Sequence, residues 1–111
     1  MNKAFFIGNL TRDPEQFETN NNKVGTNFDI AVNMRDDKVI YVRCTAWGAL
    51  GEHCAEYLAK GRKVGVFGSV EAHAYITNDG EAAASLQIPF VENVEFCTPK
   101  EKKPEGRRAR R

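Results

Sequence analysis

From Lys3 to Phe96, apolar residues recur mostly at every second position, the period of a strand with one buried face, and a single stretch changes to a helical period. The first predicted strand runs from Lys3 to Arg12. Its centre, Ala4-Phe5-Phe6-Ile7, is apolar on both faces, which calls for cover on two sides: the core on one and another subunit on the other. Asp13-Pro14 ends that strand, and Asn20-Asn21-Asn22 marks a turn. Val24, Thr26, Phe28, Ile30 and Val32 then alternate with Gly25, Asn27, Asp29, Ala31 and Asn33, the signature of a half-buried second strand. Arg35-Asp36-Asp37-Lys38 reads as a polar hairpin connection into a third strand, Val39 to Trp47. Leu50, Cys54, Tyr57 and Leu58 follow helical spacing, so one short helix is expected from Leu50 to Lys60, with Gly61 in the terminating position. The fourth strand, Arg62 to Ile76, carries Gly65 and Gly68, where a small barrel can coil. Alternation there points Val64, Val66, Val70, Ala72 and Ala74 inward, and Lys63, Phe67, Glu71, His73 and Tyr75 outward. Asn78-Asp79-Gly80 is a hairpin signal, and the last strand region, Ala82 to Phe96, holds Pro89, which implies a bend or an edge.

Five strands with a helix between the third and fourth predict an all-β chain: a five-stranded Greek-key OB-fold barrel spanning residues 1–98. Residues 99–111 contain no large apolar side chain and are expected to form a disordered basic tail. Residues 1–99 carry 9 Lys and Arg against 13 Asp and Glu, and residues 100–111 carry 7 against 2, so the formal net charge of +1 divides into a body of −4 and a tail of +5. A body of that sign cannot attract nucleic acid by bulk charge, and any affinity there must come from local cations and from stacking. The four arginines Arg107, Arg108, Arg110 and Arg111 read either as nonspecific phosphate contacts or as a merely solvated tail. With no bilayer-length apolar run and no secretory leader, the expectation is a cytoplasmic protein without membrane partners.

The third strand carries the candidate chemistry. Ile40, Val42, Cys44 and Ala46 share one face and suit a core, while Tyr41, Arg43, Thr45 and Trp47 share the other. Two aromatics flanking an arginine match what a single strand needs, flat faces for bases and a cation for the phosphates between them. Packing of Tyr41 and Trp47 under the helix or at a subunit contact is the alternative, and cross-strand packing is the alternative for Tyr75. His73 reads as solvated or phosphate-facing. Cys44, Cys54 and Cys97 are an odd, widely spaced set and suggest reduced, partly buried thiols. Neither histidine lies at metal-ligand spacing, and phosphate loops, nucleophile elbows and paired carboxylates are missing, so no enzyme activity, metal or cofactor is expected.

Ile7-Gly8-Asn9-Leu10-Thr11-Arg12-Asp13-Pro14-Glu15, Asn27-Phe28-Asp29-Ile30-Ala31-Val32-Asn33, Ala46-Trp47-Gly48, and Ala55-Glu56-Tyr57-Leu58-Ala59-Lys60-Gly61-Arg62-Lys63-Val64 appear in that order. Over residues 1 to about 97 the chain thereby resembles the bacterial single-stranded DNA-binding proteins. That resemblance implies an OB-fold, a homotetramer, sequence-independent single-stranded DNA binding, and roles in replication, repair and recombination. It places aromatic platforms at Tyr41, Trp47 and Tyr75 and basic contacts at Arg43, Lys3 and Lys60; Arg35 and His73 complete the candidate DNA-binding set. The sequence departs from the family in three respects. The loop after the second strand lacks an aromatic, and Glu71 and His73 stand where basic residues are frequent. Ile88-Pro89-Phe90 lies inside the last strand region, and the end of the chain is basic where the family closes in an acidic, hydrophobic-tipped tail that recruits other proteins. A specialised phage or mobile-element paralogue, or a truncated chain, accounts for the last departure, and recruitment is accordingly in doubt. An adaptor role resting on protein contacts, as in primosomal OB-fold proteins, is the alternative function.

Overall fold

The computed structural model describes residues 1–97, so the tail expected over 99–111 lies outside the described residues. The elements are β1 (Ala4–Leu10), β2 (Glu15–Glu18), β3 (Val24–Asn33), β4 (Val39–Trp47), α1 (Gly48–Tyr57), β5 (Lys63–Gly68), β6 (Glu71–Ile76), β7 (Ala82–Ile88) and β8 (Val91–Phe96). A 3-10 turn at Arg35–Asp37 joins β3 to β4. The five strands expected from periodicity are all present, and the two longest are each broken once. The fourth splits at Ser69-Val70 into β5 and β6, and the last splits at Pro89-Phe90 into β7 and β8. β2 was not expected, because Glu-Gln-Phe-Glu contains one apolar residue and shows no alternation; it forms by pairing Glu15–Glu18 with Val24–Asn27 of β3.

The sheet order is β6-β7-β4-β3-β1-β5-β8, with β2 added on β3. β7 runs parallel to β4 through Leu86–Ile88, whereas β8 runs antiparallel to β5. Only Pro89 and Phe90 separate those two strands, and proline can donate no ladder hydrogen bond. β7 and β8 are therefore halves of one bent strand that joins both arms of the sheet, and the ring β1-β3-β4-β7/β8-β5 closes through the covalent chain. This is the OB-fold, a partly open Greek-key barrel.

Inside the ring, Ile30, Val42, Cys44, Ala46, Val64, Val66 and Ile88 are fully buried, as alternation requires. One face of α1 packs on β3 and β4: Gly51 and Cys54 of the helix and Leu58 just beyond it are buried together. Burial of Cys44 and Cys54 pushes both thiols up, Cys54 to about 12, because the thiolate would sit in an apolar medium; Asp29 and Cys54 push Cys44 further.

The helix spans Gly48–Tyr57, starting two residues earlier and ending three earlier than its spacing predicted. Gly61 does not cap it. With φ of 87° it sits in the turn that follows, where the Arg62 amide donates to the Ala59 carbonyl at 3.0 Å. A second correction concerns β6. Ala72 and Ala74, expected inward, are exposed along with every other residue of that strand. Of β7 only Leu86–Ile88 pairs with β4, so the rest of the β6–β7 hairpin projects past the barrel, and among the described residues no second layer covers β6. The hairpin turn falls where Asn78-Asp79-Gly80 predicts it, with the Gly80 amide donating to the Thr77 carbonyl at 2.9 Å. On β1 the two-faced pattern divides as read: Phe6 packs against the core, while Phe5 and Ile7 are 51% and 47% exposed. Among the described residues no helix is long and apolar enough to cross a membrane.

Candidate nucleic-acid interface

β4 turns Val42, Cys44 and Ala46 into the barrel, which leaves Tyr41, Arg43, Thr45 and Trp47 outside on a strip about 20 Å long at the usual strand rise. Tyr41 is 62% exposed. Arg43 stands opposite Asp29 of β3, with Nε 3.2 Å from Oδ1, and the same carboxylate lies 3.7 Å from Arg12. One carboxylate is shared between two arginines, and Asp13 and Glu15 line the same hollow, so Arg43 acts as a local cation in surroundings without a positive excess. These pairs are surface-exposed, so each contributes on the order of 0–1 kcal/mol and a phosphate can compete for the guanidinium. Next along the strip, Thr45 Oγ1 donates to Asn27 Oδ1 at 2.7 Å.

Trp47 is held from three directions. Its Nε1–H donates to the Pro89 carbonyl at 3.0 Å, Phe17 meets it edge-on at 5.3 Å, and Phe90 stacks on it at 6.0 Å with 28° between planes. Phe17 and Trp47 reach each other across β3 only because Gly25 lies between them in register; a Cβ there would stand 2.5 Å from Phe17 and 3.1 Å from Trp47. The indole is half-buried, packed against Phe17 and Phe90.

At the other end of the strip, β7 brings in the β6–β7 hairpin. Tyr41 and Tyr75 line one open hollow with Val39, Ile40, Ala84, Ser85 and Leu86. His73 lies on β6 with its Nε2 3.1 Å from Glu71 Oε1, and Arg35 sits in the exposed turn before β4. The fold thus gathers Tyr41, Arg43, Trp47, Tyr75 and His73 onto one arm of the sheet, on β4 and β6 with β7 between them, and Arg35 lies at its edge. Lys3 and Lys60 lie elsewhere: Lys3 precedes β1 and is ion-paired to Glu92 of β8, and Lys60 is in the turn after α1, its amide donating to Asp13 at 2.8 Å. Sequence reasoning missed Phe17, Lys23, Asp29 and Phe90 as neighbours of this strip. Pro89 was the available signal for Phe90, since a bend is where an outward ring becomes possible.

A ring of strands closed through a bent last strand, with aromatics and an arginine along its third long strand, defines an OB-fold protein. The chain belongs to the Single-strand binding protein family, whose model matches residues 1–97. It is similar to the single-stranded DNA-binding protein of Halalkalibacterium halodurans, 30% identical over 112 residues that cover 96% of this chain and 66% of the relative. The single-stranded DNA-binding protein of Clostridium perfringens is 34% identical over 99 residues, 86% of this chain and 65% of the relative. Single-stranded DNA-binding protein 1 of Clostridium acetobutylicum is 34% identical over 108 residues, 90% of this chain and 96% of the relative. The chain therefore spans just under two thirds of the first two relatives and nearly all of the third.

Proposed function

We propose that the protein binds and protects single-stranded DNA without sequence preference, in replication, repair and recombination, as a binder with no catalytic step of its own. The observation that carries this reading is the outer face of β4, where Tyr41 and Trp47 flank Arg43 on an OB barrel of the Single-strand binding protein family. Bases stack on the aromatics and a phosphate takes Arg43 in place of Asp29; stacking tolerates any sequence because every base has a π-face. Tyr75 adds a platform beside Tyr41, and Arg35 and His73 supply rim contacts to phosphate. Lys3 and Lys60, on other elements, fit only a strand that continues around the barrel. The names of the relatives, all single-stranded DNA-binding proteins, support the reading.

The test is a titration with a thymine oligonucleotide and a matched duplex. Trp47 is the sole tryptophan, so stacking should quench its fluorescence with the single strand and leave it nearly unchanged with the duplex. If an independent assay finds no single-strand binding, the adaptor function takes its place.

Assembly belongs to the same proposal: a cytoplasmic homotetramer that covers the outer face of β1. Phe5 and Ile7 are about half exposed there, beside Phe67 of β5, too much apolar surface for an isolated barrel. Ile7→Glu should shift light scattering at micromolar concentration to a smaller species, and a monomeric parent protein would rule the assembly out.

A further inference from the structure

Phe90 is 67% exposed, a large apolar ring on the barrel surface. The chain bends at Pro89, which leaves Ile88 and Val91 buried on either side and turns the intervening ring outward. That ring lies over Trp47, whose orientation is already set by the Pro89 carbonyl and by Phe17. Two stacked, offset rings make an aromatic wall whose outward face is mainly that of Phe90, and it needs little ordering before a ligand arrives. The wall lines an open pocket of about 450 Å³ whose other sides are Lys23, Val24 and Gly48. A volume of that size falls in the ordinary range for small-ligand sites. Gly48 at the mouth has a positive φ of 63°, and a Cβ built there would stand in open space.

The lining selects the ligand. It is apolar and aromatic apart from one lysine, so it offers a planar ring something to stack on and an anion something to pair with. It has no polar side chain besides Lys23 with which to read a base edge. Trp47 belongs both to this pocket and to the β4 strip, so a strand running past Tyr41 and Arg43 continues into it.

We infer that Phe90, Trp47 and Lys23 form a further nucleotide subsite, which stacks one unpaired base on the Phe90–Trp47 wall and pairs the adjoining phosphate with Lys23. This inference rests on the single-strand reading and adds to it a residue, Phe90, and a cation, Lys23, outside the Tyr41-Arg43-Trp47-Tyr75 set.

The experiment is fluorescence anisotropy of a labelled thymine oligonucleotide with the full chain and with Phe90→Ala, Phe90→Leu, Phe90→Trp and Lys23→Ala, with a thermal melt of each. Phe90→Ala should weaken binding about 10-fold, within the range that one stacked base contributes. Phe90→Leu keeps apolar bulk without a π-face and should weaken it nearly as much, while Phe90→Trp should keep parental affinity. Lys23→Ala should flatten the slope of log affinity against log salt by about 0.7, the loss of one phosphate contact on a single strand. Should Phe90→Ala fail to fold, the leucine and tryptophan variants decide. A parent protein that binds while Phe90→Leu binds equally well overturns the subsite alone; a parent that does not bind overturns the single-strand reading itself. Smaller assemblies from Phe90→Ala with unchanged affinity would assign the wall to a second copy of the chain and also overturn the subsite.

Discussion

Trp47→Ala should weaken single-strand binding roughly 10- to 100-fold, because each base stacked on an aromatic contributes about 1–3 kcal/mol and tenfold in affinity is about 1.4 kcal/mol. The same variant should lose about 2 kcal/mol of stability. Trp47 is half-buried, so it costs less than the about 3–5 kcal/mol of a fully buried tryptophan, but the edge contact with Phe17 and the donation to the Pro89 carbonyl both disappear. Trp47→Phe separates the two effects: it keeps a ring for the base and loses the N–H, so binding should stay within about three-fold of the parent while stability falls by about 1 kcal/mol. Anisotropy titrations beside urea denaturation measure both quantities. Parental binding by a folded Trp47→Ala would show that the ring serves packing alone and would overturn its role as a platform.

The second large effect is on the barrel. Gly8→Ala should cost about 3 kcal/mol, seen as a melting temperature lower by roughly 12–24 °C. A Cβ at Gly8 would stand 2.5 Å from the Ala31 carbonyl oxygen and 3.1 Å from the Val32 side chain. The nearest obstacle is backbone of β3, which cannot yield without disturbing its pairing with β4 on the far side. Gly61→Ala provides the contrast. No atom lies within 4 Å of a Cβ there, and the penalty is the left-handed φ of 87° alone, about 1–2 kcal/mol. Equal melting temperatures for the two variants would remove crowding as the reason for Gly8.

Gly8 also marks the limit of what periodicity conveys. Alternation places the strands: β3 and β4 occupy Val24–Asn33 and Val39–Trp47, where the pattern predicts them, and Val42, Cys44 and Ala46 are fully buried as their shared face requires. It places Tyr41, Arg43 and Trp47 together because they lie two or four residues apart on one strand, and a period of two is a local property of the backbone. The same rule fails on β6, where Ala72 and Ala74 alternate correctly but are exposed, with no layer to face among the described residues. Burial needs a partner, and periodicity says which residues share a side without saying whether anything covers it.

By itself, then, the order of residues determined the five main strand regions, the one helix, the inward face of β4 and the aromatic strip opposite it, all of which depend on neighbours within a few positions. Tertiary structure alone decided the rest. The parallel pairing of β4 with β7 brings Tyr75 to Tyr41, the bend at Pro89 closes the ring and exposes Phe90, and the bare backbone of Gly25 lets Phe17 reach Trp47. Those contacts join residues 30 to 44 positions apart, and their register is set by which strands close the barrel around a shared core, a choice made by the whole chain at once.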